Sequence, residues 1–207
     1  MGLRIVQVGD IHCDIAKLRA LKSALRGIQL DLLAVHGDVE CDGEILEVLK
    51  EISPKIAFVP GNMDDVGVSK LFSREGFNID SRVIEFGDYA MFGIGGLSFY
   101  SSYSRVKEMM PSYRGKKILL LTHHPPLSEK TDLALGRIHA GLPELRELDE
   151  EFRVYLHMHG HIHESPGWEF IGETLVVNPG ALKHGRYAYI YLEERKVELL
   201  RIDGDGK

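Results

Sequence analysis

"LRIVQVGDIH", residues 3–12, couples an aliphatic, β-branched run to an abrupt polar end. Leu3–Val8 reads as a buried strand, and two residues of metal-ligand type, Asp10 and His12, follow it at once. The arrangement recurs. Leu32–Val35 runs into Gly37-Asp38, and Ile56–Val59 into Gly61-Asn62-Met63-Asp64. Ile118–Leu121 runs into Thr122-His123-His124-Pro125-Pro126, and Val154–Met158 into Gly160-His161-Ile162-His163. In α/β sheets, ligands bind beyond the carboxyl ends of the strands. Five such loops are therefore expected to converge on one site.

Between the first strands lie amphipathic stretches. Asp14–Arg26 carries Ile15, Leu18, Leu21, Ala24 and Leu25 at helical spacing, and Asp42–Ile52 carries Ile45, Leu46, Val48 and Leu49. This β-α-β-α alternation predicts largely parallel strands covered by helices. The C-terminal part changes character. Trp168–Ile171, Leu175–Val177, Tyr187–Leu192 and Val197–Ile202 read as strands in hairpins, joined at "GE" (172–173) and "EERK" (193–196). Another hairpin is expected around "GD" at 87–88. The length of 207 residues suits one domain spanning 1–207, with 203–207 as a frayed tail. A two-sheet α/β sandwich accommodates both halves.

The net charge of −6 makes nucleic acid a poor default partner, because phosphate neutralisation needs a Lys/Arg surface. The N-terminus shows no signal-peptide pattern, and the aliphatic runs are too short to span a bilayer. Cys13 and Cys41 are too few for a disulfide framework. They read as small buried hydrophobes in a reducing setting, so a cytoplasmic protein with no membrane contact is expected.

The recurring loops supply three oxygen donors, Asp10, Asp38 and Asn62, and four imidazoles, His12, His123, His161 and His163. That is too many for one ion. It suits two divalent ions about 3.5–4 Å apart that share a carboxylate. Mixed nitrogen and oxygen ligation favours transition metals, with Mn expected and Fe, Ni, Co or Zn open.

In this order, D-x-H, G-D, G-N-x-D, a His after a strand and G-H-x-H resemble the motifs of the calcineurin-like metallophosphoesterase superfamily. Asn178-Pro179-Gly180-Ala181 is similar to the N-P-G-S loop of its small bacterial and archaeal phosphodiesterases. The resemblance implies a four-layer α/β/β/α sandwich of two mixed sheets. It also implies one metal on Asp10, His12 and His163, a second on Asn62, His123 and His161, and Asp38 as the bridge. The implied activity is hydrolysis of a small phosphodiester by in-line attack of a metal-activated water. A nuclease on the same centre, or a non-catalytic scaffold with the same fold, remains open, as does a homo-oligomer.

The sequence departs from the family at Met63, where a His between the Asn and the acid is usual and is thought to protonate the leaving oxygen. A thioether has no proton to give, and general-acid help is typically worth about 10²–10⁴ in rate. Asp64, His124 and His139 are the candidates to replace it, or the substrate has an acidic leaving group. His124 and His139, with Asn62, are also candidate substrate contacts. His36 and His159 are candidate partners of the ligands. His184 reads as surface and Asn178 as a turn former. The stretch 95–117 mixes Phe99, Tyr100, Tyr103 and Tyr113 with basic residues, and reads as an excursion that shapes substrate access or makes a dimer contact. In "LHMHGHIHES" (156–165), His157 is expected to be a packed strand residue, with Gly160 turning the chain so that His161 and His163 reach different metals.

Overall fold

The computed structural model describes residues 2–41 and 43–202. The expected helix start at Asp42 and the tail 203–207 lie outside the described residues. Two mixed sheets stack face to face. The first has five strands, β1 (Arg4–Val8), β2 (Leu32–Val35), β3 (Ile56–Phe58), β12 (Arg186–Tyr191) and β13 (Lys196–Arg201), in the order β13-β12-β1-β2-β3. Strands β1 to β3 are parallel, and β12 and β13 add as an antiparallel hairpin.

The second sheet has six strands: β4 (Val83–Phe86), β5 (Tyr89–Ile94), β6 (Lys117–Thr122), β9 (Leu156–Met158), β10 (Gly167–Ile171) and β11 (Thr174–Asn178). Their order is β10-β11-β9-β6-β5-β4, parallel in the middle with antiparallel edges. The expected hairpins at 87–88, 172–173 and 193–196 all form.

Side-chain alternation sorts the core into three slabs. On β1, Val6 and Val8 face the helices α1 (Ile15–Ala24), α2 (Gly43–Ile52) and α3 (Val66–Arg74). Ile5 points the other way, into an inter-sheet layer with Met91, Leu119, Leu121, Leu156, Met158, Leu175 and Val177. On the far side, Phe92, Ile118 and Leu120 pack under α4 (Phe99–Met109) and α5 (Pro143–Phe152). These are the four layers α/β/β/α. A polar side chain interrupts the inter-sheet layer: Gln7 Nε2 donates to the carbonyls of His159 (2.8 Å) and Val177 (3.2 Å), joining the sheets by hydrogen bonds. Among the described residues, no helix is long and apolar enough to cross a membrane.

Two local expectations are corrected. Cys13 and Cys41 are not separate buried thiols: they form a disulfide, with Cα atoms 5.2 Å apart and Cys13 exposed. The pairing follows from a ladder between the β1–α1 and β2–α2 loops, in which His12 N–H donates to Asp38 O and Cys13 N–H to Val39 O. The expected reducing setting thereby loses its support in the cysteines. Second, the strand expected over Val154–Met158 is shorter at its start. Arg153 adopts φ 49°, so the strand begins only at Leu156, and Val154 packs on the helix side. The candidate residue His139 lies on a small hairpin, β7 (Leu133–Ala134) with β8 (Ile138–His139), that no apolar pattern marks.

Candidate metal centre

The carboxyl ends of β1, β2, β3, β6 and β9 meet at one edge of the sandwich, and the loops beyond them bring the seven expected ligands together. Asp10, His12 and His163 form one group, with His12 Nε2 3.4 Å from His163 Nε2 and His163 Nε2 3.4 Å from Asp10 Oδ1. In the other, His123 Nε2 lies 2.8 Å from Asn62 Oδ1 and 3.2 Å from His161 Nδ1. Asp38 stands between them: with Asp10 and His123 it forms a third cluster, and its Oδ2 is 3.6 Å from His123 Nε2. Asp10, His12, Asp38 and His161 all hold positive φ, between 48° and 70°. Strained backbone of this kind is tolerated where the surroundings over-determine it, and it clusters at functional sites.

The donor chemistry fits cations. His123 Nδ1 donates to the His36 carbonyl at 2.8 Å, so its Nε2 presents a bare lone pair to the Asn62 oxygen. His12 Nδ1 donates to Glu40 at 2.5 Å, which turns its Nε2 lone pair toward His163. Asp10 Oδ2 accepts from His36 Nε2 (3.2 Å) and His161 N–H (3.1 Å). Asp10 Oδ1 is buried and makes no well-formed hydrogen bond, its nearest polar neighbour being His163 Nε2 at 3.4 Å, which is costly unless something else satisfies it. Acceptors facing acceptors at 2.8–3.6 Å match neighbouring ligands on one ion, which lie roughly 3.0–3.4 Å apart when metal–nitrogen bonds are about 2.1 Å.

Electrostatics agree. Burial raises the Asp38 carboxyl to about 7, opposed by the Met63 N–H and reinforced by Asp10, Asp64 and Glu40. Burial works to raise Asp10 too, but His163 and His36 beside it hold it well below the usual carboxylate range. Burial depresses His123 to about 3 and His124 to about 4. Neutral imidazoles and crowded carboxylates are the forms that ligate divalent ions.

Of the three candidate acids, the structure keeps one beside the cluster. Asp64 is buried and accepts from the N–H groups of Val39, Glu40 and Gly61 at 2.7–2.8 Å. It staples two ligand loops together and is spent on backbone. His139 is an exposed residue paired to Asp132. His124, half-buried, has its ring 4.6 Å from that of His161 and 5.1 Å from that of His123. It joins those two in a potential ligand cluster. Phe99 at the start of α4 packs edge-on against it at 5.8 Å, so the 95–117 excursion borders the site. Met63 is 58% exposed at the rim.

His36 contacts Asp10 as expected. His159 does not contact a ligand side chain: its ring is buried near Thr131 Oγ1 and the Gly160 carbonyl. Gly160 does not supply the turn, which His161 makes at φ 70°. It is glycine because a Cβ there would sit 2.0 Å from the His36 ring, while one at Gly9 would sit 2.2 Å from the same ring. Asn178 goes beyond a turn: its Nδ2 donates to the carbonyls of Thr131, Ile162 and Ser165 and its Oδ1 accepts from Gly180.

Sequence reasoning missed Glu40, and also the chain behind His124. There, Asp149 holds His157 Nδ1 at 2.9 Å, His157 Nε2 meets Thr122 Oγ1 at 2.8 Å, and Thr122 donates to the His124 carbonyl at 2.6 Å. Glu40 lies two residues past Asp38, a spacing that could have prompted the question. Asp149 lies on a helix whose docking no local pattern reveals.

A model of the calcineurin-like phosphoesterase superfamily domain matches residues 3–193. The chain belongs to that superfamily. The uncharacterised protein MJ1162 of Methanocaldococcus jannaschii is 30% identical over 197 residues, covering 86% of this chain and 88% of its own. Among solved structures, a dimetal phosphatase of Danio rerio superposes with a TM-score of 0.69 at 12% identity, covering 97% of this chain and 99% of that one. An archaeal phosphodiesterase gives 0.64 at 15% identity, covering 96% and 99%. At these identities the likeness speaks for the fold. Membership and the His/Asp clusters together point to a metal-dependent phosphoric ester hydrolase that uses divalent ions.

Proposed function

We propose that the protein hydrolyses a small phosphodiester at a dinuclear centre. Asp10, His12 and His163 would hold one ion, Asn62, His123 and His161 the other, and Asp38 would bridge them. The observation that carries this reading is the buried Asp10 Oδ1, approached only by His163 Nε2 at 3.4 Å, beside the His12 Nε2 lone pair, with a second group of facing acceptors, His123 Nε2 and Asn62 Oδ1, next to Asp38. Ions held there would supply an activated water nucleophile and offset charge on phosphoryl oxygens. Mn is the ion we favour; Fe, Co, Ni and Zn suit the same donors.

The chain's own residues do the rest. Asn62 orients its oxygen toward His123 while its loop is held by Asp64. His124 offers a ring N–H beside the cluster, where it can donate to a phosphoryl or leaving oxygen. Met63 supplies contact area and no proton. We therefore assign the enzyme to diesters with good leaving groups. An archaeal phosphodiesterase is among the solved structures that share the fold, and the chain's net charge of −6 favours small substrates over nucleic acid.

The test is metal reconstitution with a panel of phenyl and alkyl diesters and the corresponding monoesters, with Asp38→Asn as control. Mn-dependent diester cleavage, absent in the control, is expected. A panel cleaved at the monoesters alone would refute the diester reading, and no metal uptake would refute the centre.

A further inference from the structure

The segment after β11 carries a basic group that hydrolysis at the metal centre does not use. Leu182 N–H donates to the Gly9 carbonyl (3.0 Å) and Lys183 N–H to that of Asp10 (3.3 Å). The 3-10 turn Leu182–His184 is thus fixed to the loop of Asp10 and His12. Arg186 follows, its stem lying over Gly180. A Cβ at Gly180 would be 3.0 Å from Arg186 Cδ and 3.3 Å from the His163 carbonyl. The His184 ring stands 6.0 Å from the His163 ring.

Lys183, His184 and Arg186 line a cavity of about 460 Å³, wide open to solvent, with His163 and Glu164. One wall is a candidate metal ligand, and the rest is mostly basic, in a chain of net charge −6. Among the described residues, no carboxylate lies within 4.0 Å of the side-chain nitrogens of Lys183 or Arg186. The wall's one acid, Glu164, already accepts from the Leu135 N–H at 2.9 Å.

We propose that this cavity is a subsite for a second anionic group, a carboxylate or phosphate carried on one arm of the diester. Arg186 offers the planar fork that binds such groups in two places, and Lys183 a point charge beside it. The inference rests on the phosphodiesterase reading and narrows its substrate class to diesters with one charged arm.

Binding without turnover tests it. Calorimetry would compare ω-carboxyalkylphosphonates of two to four methylenes, and the matching bisphosphonates, with plain alkylphosphonates. It would use metal-free and Mn-loaded protein. At one arm length or more, the second anion is expected to tighten binding roughly tenfold, the return of one charge-assisted pair. The gain should vanish in Lys183→Gln/Arg186→Gln, with alkylphosphonate binding unchanged. Preference for one anion over the other would identify the arm's chemistry. Equal affinity for charged and plain arms at every length, or a preference that survives the double variant, overturns the proposal. A preference that holds while no diester is cleaved keeps the subsite and sinks the phosphodiesterase reading instead.

Discussion

Glu40 Oε1 sits 2.5 Å from His12 Nδ1, on the side of the ring away from His163. The carboxylate fixes the tautomer and points the Nε2 lone pair at the cluster. Partners of this kind are typically worth 10–100-fold in metal affinity. Glu40→Gln is expected to weaken Mn binding by about that factor in a competition titration, with little change in the unfolding midpoint. Unchanged affinity would show that the ring needs no such guide.

The His36 ring is clamped between Gly9 and Gly160, with no room for a methyl on either side. Gly160→Ala must push His36 off Asp10 or distort the His161 loop. Overpacking of this kind costs about 1–3 kcal/mol. Urea unfolding should read that loss, and metal titration should read a matching loss of affinity. A variant as stable as the parent would mean that the loop yields freely.

The disulfide spans 28 positions. Chain-entropy arguments give a bridge of that span about 3–4 kcal/mol. Reduction, or Cys13→Ser with Cys41→Ser, is expected to lower stability by up to that amount. Because the bridge ties the His12 and Asp38 loops, it should also quicken metal loss to a chelator. Stability falling with no change in that rate would confine the bridge to the unfolded state.

Asp149 and His157 are both fully buried and bonded to one another. Removing one partner leaves the other buried and unsatisfied, at a cost of about 1–3 kcal/mol, to which the cavity left by the ring adds. His157→Ala should therefore lower the unfolding midpoint sharply, whereas His163→Ala should chiefly abolish metal uptake. The reverse pattern would overturn the division between strand and ligand histidines.

Burial lowers His124 from an ordinary 6.5 to about 4. Below pH 6.5 the unfolded chain takes up a proton that the folded chain refuses. Its contribution is therefore complete above 6.5 and shrinks as pH falls toward 4. In metal-free protein, His124→Asn is expected to make stability less steep over that window. Asp38, raised to about 7, acts in the opposite sense in both proteins and cancels from their difference. Identical slopes would rule out the assignment.

The sequence carried the fold wherever a period did. The alternation on β1 separates Ile5 from Val6 and Val8, and that division became two slabs of core. The seven candidate ligands were legible because each follows a strand end. What stayed hidden was longer-range. The Cys13–Cys41 bridge depends on two loops lying side by side, and residue counting cannot show that. Asp149 reaches His157 only because α5 packs on that face. Asp64 has the composition of a catalytic acid, and only its three N–H donors reveal a staple. Gly160 invited a turn explanation because a neighbouring ring is invisible in one dimension.

The two ligand groups draw on both halves of the chain. Asp10, His12, Asp38 and Asn62 extend from the first sheet, and His123, His161 and His163 from the second. Each proposed ion therefore straddles the seam, close to where Gln7 also crosses it. Neither sheet owns a complete coordination shell, so ion uptake would report the docking of one sheet on the other. It would act as a coincidence signal for assembly, and chelation would be felt first as slack along that seam.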